Sequence, residues 1–240
     1  MKAVIFNSGL GRRMGKLTEN QPKCMARLYN GESIFERQIR LLSEAGIKEF
    51  VVTTGPFKEK IYETAAKFTD LNFQFVANED YANTNYIVSM DLASPYMEED
   101  ILLLHGDLVF NKELVKKVLE DEHPSVCVYN EEKPLPEKDF KARFDGQKLR
   151  EVSIDIFGQD CYAFQPFYKL SYKDLKVWKD KVAEFVKDGN TKVYAENALN
   201  TVSKCINING LSYKNDYIDE IDNEDDYRRV NLEIERFELR

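Results

Sequence analysis

The chain has 240 residues, 43% hydrophobic and 32% charged, which supplies enough apolar material for a sizeable core and excludes disorder over most of its length. Lys and Arg total 34 against 42 Asp and Glu, a formal net charge of -8, which argues against a duplex nucleic-acid binder but leaves room for a local anion pocket. Cys24, Cys127, Cys161 and Cys205 form no C-x-x-C pair, and His105 and His123 are the two imidazoles, so neither a zinc site nor a disulfide framework is expected. The opening apolar stretch is too short for a signal peptide, and no apolar run reaches about 18 residues. A cytoplasmic location without membrane insertion is the expectation.

Residues 3–6, partly β-branched and bounded by Asn7-Ser8-Gly9, read as a buried strand. Residues 8–23 form a polar, basic, Gly-rich loop. The pattern then predicts a helix over 33–45: Ser33 and Glu36 make a capping box, Phe35, Ile39 and Leu42 share a face, and Gly46 stops it. Strands are expected at 50–54, 72–77 and 101–104, the last wholly apolar and so buried on both faces. Helices are expected over 58–68, after the 81–90 segment and over 112–119, with a strand at 125–129. This alternation predicts an α/β fold: a Rossmann-like, mostly parallel sheet with helices on both faces.

The pattern changes beyond residue 130. Residues 131–142 are charged and carry Pro134 and Pro136, which suggests a loop or lid. Residues 143–154 contain Asp145-Gly146, a hairpin turn signal. Helices at 170–186 and 195–202, a strand at 205–208 and a closing helix at 224–233 complete the chain. The second half thus reads as a small α+β insertion. With no internal repeat and no clean linker, one domain over 1–240 is expected.

Gly9 and Gly11 directly follow the first strand, where they let the backbone turn sharply and bring N–H groups to a ligand. Arg12 and Arg13 add positive charge at the carboxyl edge of the sheet, where ligands of open α/β folds sit. A phosphate-bearing ligand is the natural occupant, and a solvated turn is the competing reading. Met14 stands where a dinucleotide fingerprint needs its third glycine, and no Gly-Lys-Ser/Thr P-loop exists.

The continuation is more specific. Gly9-Leu10-Gly11-Arg12-Arg13-Met14, then Leu17-Thr18, then Pro22-Lys23, resembles the signature of the nucleotidyltransferases that activate phosphorylated sugars and alcohols. The match departs at Asn7-Ser8, where two alanines are usual, and at Arg12, where a small hydroxyl residue is usual. The resemblance implies a nucleotide-diphospho-sugar transferase type of fold. It implies Arg13 and Lys23 as catalytic cations on a triphosphate, with Asn7, Gly9 and Gly11 in the nucleotide-binding loop. Fixed cations suit the reaction, because negative charge grows as pyrophosphate leaves the α-phosphorus.

Asp107, after the apolar strand, faces the same sheet edge and suits Mg2+, and the resembling family has an Asp metal ligand there. Asp219-Glu220-Ile221-Asp222 resembles the Glu-Ile-Asp before the closing helix of phosphocholine-activating relatives. That makes Asp222 the second ligand, supported by Glu220, with helix capping as the competing role. The segment 81–90 resembles the Asn-Thr-Asn-x-x-x-Ser stretch of phosphocholine cytidylyltransferases, which assigns Asn83, Thr84, Asn85 and Ser89 to nucleotide contacts. A capped polar turn is the alternative.

Tyr129, Phe140, Tyr162, Phe164, Phe167, Tyr168, Trp178 and Tyr194 crowd the second half, as core or as a cage for a choline-like cation or an ethylamine. Tyr194 and Glu196 are candidate acceptor contacts, Glu196 through an amine. Lys141, with Lys133 and Lys138, is a candidate for the acceptor phosphate or part of a solvated charge run. The expectation is a cytidylyltransferase that joins CTP to a small phosphorylated or phosphonate headgroup, phosphocholine or 2-aminoethylphosphonate, with Mg2+ as cofactor. Residues 1–130 would bind nucleotide, 131–210 the acceptor, and 211–240 close the site. Its partners would be those substrates, with room for a homodimer. The rivals are a sugar-1-phosphate nucleotidyltransferase using UTP or dTTP, and a non-catalytic nucleotide-sensing module.

Overall fold

The computed structural model describes residues 1–9 and 11–239, so Leu10 of the glycine loop and Arg240 lie outside the described residues. The first half alternates Lys2–Asn7 (β1), Ile34–Glu44 (α1), Glu49–Thr54 (β2), Lys58–Ala65 (α2), Asn72–Ala77 (β3), Tyr86–Ala93 (α3), Ile101–His105 (β4), Leu108–Phe110 (β5), Lys112–Glu120 (α4) and Val126–Asn130 (β6). The second half adds Lys141–Asp145 (β7), Lys148–Ser153 (β8), Cys161–Leu170 (β9), Tyr172–Lys187 (α5), Ala195–Val202 (α6), Asn209–Ser212 (β10), Ile218–Glu220 (β11) and Glu224–Glu238 (α7). The Ser33–Glu36 capping box starts α1 as expected.

The strands form a nine-stranded sheet in the order β3-β2-β1-β4-β9-β6-β10-β8-β7. β1 lies parallel to β2 and β4, β2 to β3, and β6 to β10, whereas β9 runs antiparallel between β4 and β6. Only β9 and β8 oppose the common direction, so the mostly parallel, Rossmann-like sheet holds. Side-chain alternation sorts the two faces. Ala3, Ile5, Leu102 and Leu104 pack toward α1, α2 and α4; Val4, Phe6, Ile101 and Leu103 pack toward α3, α5 and α6. Helices cover both faces, which is why β4 reads as an unbroken apolar run.

A third cluster matters for the site. Met14, Ile34, Val109, Ile221, Val230 and Ile234 pack together, clamping the 3-10 turns of Arg12–Thr18 against α7 and the β5–β11 pair. β11 is antiparallel to β5, with Glu220 opposite Leu108, and the Ile221 amide donates to the Asp107 carbonyl at 3.1 Å. This small ladder brings the chain near residue 220 beside Asp107.

Several elements differ from expectation: β5 and β11 fall where no strand was expected, and α3 begins at Tyr86, inside the 81–90 segment it was expected to follow. Residue 170 ends a strand rather than beginning a helix: β9 is a central strand, and α5 starts at Tyr172. Pro166 sits where the β6–β9 register shifts, between the pairs Cys127–Tyr168 and Val128–Gln165, and this irregularity accommodates a residue with no N–H to give the ladder. The strand expected at 205–208 lies instead at Asn209–Ser212. Its Gly210 is required by close approach: a Cβ there would lie 2.7 Å from the Phe144 ring and 2.8 Å from the Tyr129 ring.

Candidate active site

The carboxyl ends of β1, β3 and β4 open onto a cleft of about 480 Å3. Of the residues singled out by sequence, Asn7, Gly9, Gly11, Arg13, Lys23, Thr84, Asn85, Ser89, Asp107, Tyr194 and Asp222 all line it. Asn7 ends β1 against the turn after β4. Residue 106 must be glycine there, because a Cβ would sit 1.6 Å from Asn7 Oδ1. Ser8, which stands where the resembling family has alanine, joins a buried chain of hydroxyls. It donates to Thr53 Oγ1 at 2.9 Å and accepts from Ser89 Oγ at 2.9 Å. Asn78 Nδ2 donates to Ser89 and Thr84 at 3.1 Å each. This network fastens the glycine loop to α3.

Lys23 lies at the centre. Its ammonium donates to Asp107 Oδ2 at 2.5 Å and to Asp222 Oδ1 at 2.6 Å, and Arg13 Nη2 donates to Asp222 Oδ2 at 2.5 Å. Burial pulls the Lys23 pKa down, but Asp107 and Asp222 more than offset it and hold the lysine above its ordinary range. Asp107 is held below the usual carboxylate range: burial raises its pKa, and the Lys23 ammonium, through its charge and its hydrogen bond, outweighs that. Asn223, not Asp222, caps α7, so the capping role considered for Asp222 belongs to its neighbour.

Two further carboxylates stand close by. Asp139, Glu220 and Asp222 present oxygens within 4.8 Å of one another. Burial pushes Glu220 well up, and Asp107, Asp222 and Asp139 push it further; burial also raises Asp139. Asp107 Oδ1 is buried with no hydrogen-bond partner among the described residues. An all-oxygen donor set with an orphaned carboxylate oxygen fits a hard divalent cation such as Mg2+.

The wall opposite the glycine loop is aromatic. His105 packs on Tyr86 with ring centroids 4.5 Å apart, and Phe140 meets Tyr194 at 4.9 Å. Burial lowers the His105 pKa to about 4, so the ring is neutral at physiological pH and acts as wall rather than cation. Of the eight aromatics singled out by sequence, Phe140 and Tyr194 reach the cleft. Phe164, Phe167, Tyr168 and Trp178 are core, and Tyr129 packs at a tilt against Tyr162 and Phe144.

Three expected contacts lie outside the cleft lining. Asn83 is turned away, its amide donating to Asp80 at 2.6 Å within the turn before α3. Glu196 is 1% exposed in the second core cluster, where Tyr168 Oη donates to it at 2.9 Å. Lys141 is fully buried and donates to the Pro136 carbonyl at 2.8 Å, pinning the loop instead of facing a substrate. Lys133 pairs with Asp219 at 3.3 Å, which leaves Lys138 as the lysine of that loop in the cleft. Sequence reasoning missed Asn78, Tyr86, Asp139 and the wall role of His105. The Asn-Thr-Asn-x-x-x-Ser segment was a pointer to Asn78 and Tyr86, its neighbours; Asp139 carries no sequence signal beyond a charged loop.

Known proteins resemble this chain to different extents. CMP-5'-(3-aminopropyl)phosphonate synthase of Streptomyces rubellomurinus is 29% identical over 49% of this chain and 19% of its own length. CTP:phosphoglutamine cytidylyltransferase of Campylobacter jejuni is 30% identical over 50% of this chain and 48% of its own. The chain therefore spans less than half of those two relatives. Choline-phosphate cytidylyltransferase of Streptococcus pneumoniae is 25% identical over 96% of both chains. The solved CTP:phosphocholine cytidylyltransferase of the same organism superposes with a TM-score of 0.79 at 21% identity, covering 97% of this chain and 98% of that one, and establishes the nucleotide-diphospho-sugar transferase fold. With residues 3–168 matching the family model, the chain belongs to the MobA-like NTP transferase domain family.

Proposed function

We propose that the protein is a cytidylyltransferase that joins CTP to a small phosphorylated or phosphonate headgroup bearing a cation. The observation that carries this reading is the meeting of Arg13 and Lys23 with Asp107 and Asp222 at one end of a cleft whose other walls are Thr84–Ser89 and the Phe140–Tyr194 pair. A phosphate or phosphonate oxygen of the acceptor attacks the α-phosphorus of CTP. The bond to the bridging oxygen breaks, and pyrophosphate leaves with the electron pair. The nucleophile is already an anion, so no unusual base is needed, and positioning with charge neutralisation supplies the rate. Arg13 and Lys23 hold the phosphates of the leaving group. Asp107 and Asp222 would hold Mg2+, which neutralises phosphate oxygens when bound. Thr84 and Asn85 read the base and ribose, over the Ser8–Ser89–Asn78 network that holds their segment in place. Asp139, Glu220, Phe140 and Tyr194 face the acceptor, where carboxylates and ring faces suit a choline-like or aminoethyl cation. In this reading residues 1–130 serve the nucleotide, 131–210 the acceptor and 211–240 the metal.

Pyrophosphate release with CTP, UTP, dTTP, ATP and GTP, each against phosphocholine, 2-aminoethylphosphonate, phosphoethanolamine and glucose 1-phosphate, tests the reading. The expected result is release with CTP and a cationic headgroup. Release confined to UTP or dTTP with the sugar phosphate overturns the base and acceptor assignments. Tight nucleotide binding with no release from any pair overturns catalysis.

A further inference from the structure

We infer that Lys23 is the resident cation of the Asp107–Asp222 site when no ligand is bound, so that a divalent ion and a polyphosphate enter as a coupled pair, each freeing the group that the other needs. This rests on the proposed function. The geometry is a closed set of ion pairs: Asp107 and Asp222 both accept from Lys23, and Asp222 also accepts from Arg13. The Lys23, Asp107 and Asp222 side chains are largely shielded from water, at 16%, 16% and 19% exposure. Water therefore compensates poorly for a broken pair.

A divalent ion arriving alone must take the two carboxylates from Lys23. That strands an ammonium in the half-buried cleft with both of its counter-ions taken. A polyphosphate arriving alone must draw Lys23 and Arg13 away. That leaves Asp107 and Asp222 unpaired beside Asp139 and Glu220 and against a new anion. When both arrive, every charge finds a partner again: carboxylates on the metal, cations on the phosphates. Glycine-loop access and metal access are in this way one event, and the coupling belongs to the protein in addition to any chelation in solution.

The test is Mn2+ binding without nucleotide, followed by the electron paramagnetic resonance signal of the free ion. Lys23→Met is expected to bind Mn2+ on the order of tenfold more tightly than the unaltered protein. Lys138→Met removes an exposed lysine from the same cleft that makes no ion pair with either carboxylate. It is expected to change binding by less than about twofold, because solvent screens such a charge. The reciprocal arm keeps Lys23 and so does not depend on that variant folding. With EDTA present, the Asp107→Asn, Asp222→Asn protein is expected to bind CTP on the order of tenfold more tightly than the unaltered protein. No gain in either arm, or an equal gain with Lys138→Met, overturns the coupling. If Mn2+ bound to Lys23→Met persists after Asp107→Asn and Asp222→Asn are added, the ion sits elsewhere and the metal assignment of the proposed function falls as well. If it is lost there but was never tightened by Lys23→Met, the coupling alone falls.

Discussion

Lys23 makes the plainest demand on function. Its ammonium is held by two carboxylates, while the neighbouring turns are fixed separately by Met14 and by Thr18, whose hydroxyl donates to the Gly11 carbonyl at 2.8 Å. Lys23→Ala is expected to lower the rate of pyrophosphate release on the order of tenfold or more, with an unchanged circular dichroism spectrum. Asp107→Asn is expected to remove the divalent-dependent part of that activity; full activity in either variant removes that residue from the chemistry. Glu196 makes the opposite kind of demand. Burial raises its pKa from the ordinary 4.5 to about 8, so the folded protein binds a proton there that the unfolded chain has lost. Stability falls as pH rises from about 4.5 to about 8 and stays low above it. Glu196→Gln is expected to match the unaltered protein near pH 5 and to melt higher at pH 9. A melting temperature no higher at pH 9 contradicts the assignment of a costly buried carboxyl. Arg13, Lys23, Asp107 and Asp222 were legible because each stands in a spaced motif. Lys141 and Glu196 were misplaced because their composition fitted an acceptor site, while only packing reveals that both are core.

Elements decide what the cleft can hold. The loop 131–140 carries Lys138, Asp139 and Phe140 to the acceptor end, and Lys141 fastens it from β7 through the Pro136 carbonyl. Lys133 ties its other end to Asp219. Lys141→Met keeps the apolar stem but loses the tie. The expected outcome is a rise in the KM for the acceptor on the order of severalfold, with the KM for CTP little changed. Equal rises in both, or none, contradict a role confined to the acceptor side. The same scale shows where sequence reading stopped. α1 was plain because a 3.6-residue period and a capping box agree. β9 was hidden because a strand buried on both faces has no alternation, and because Pro166 argues against a central strand unless a register shift is known to receive it. β10 was shifted because Asn209-Gly210 looks like a turn, whereas the glycine is there to let two rings close over it.

Across the whole molecule, the sheet puts unlike chemistry side by side along one edge. β1, β2 and β3 deliver the glycine loop and the Asn78–Ser89 network; β4 delivers Asp107; the β5–β11 ladder and α7 return Glu220 and Asp222 from more than a hundred residues away to meet it. A chain of net charge -8 thus concentrates Arg12, Arg13 and Lys23 in one corner, with Asp107 and Asp222 paired directly to Lys23 and Asp139 and Glu220 beside them. No helix among the described residues is long and apolar enough to cross a membrane. The central claim is that this corner holds a triphosphate while the paired carboxylates hold a divalent ion. A crystal grown with CTP and Mn2+ tests it most directly through anomalous scattering. The account predicts an anomalous peak between Asp107 and Asp222, with phosphate oxygens on Lys23 Nζ and Arg13. A triphosphate bound away from the Gly9–Arg13 loop, or an ion that touches neither carboxylate, would contradict it.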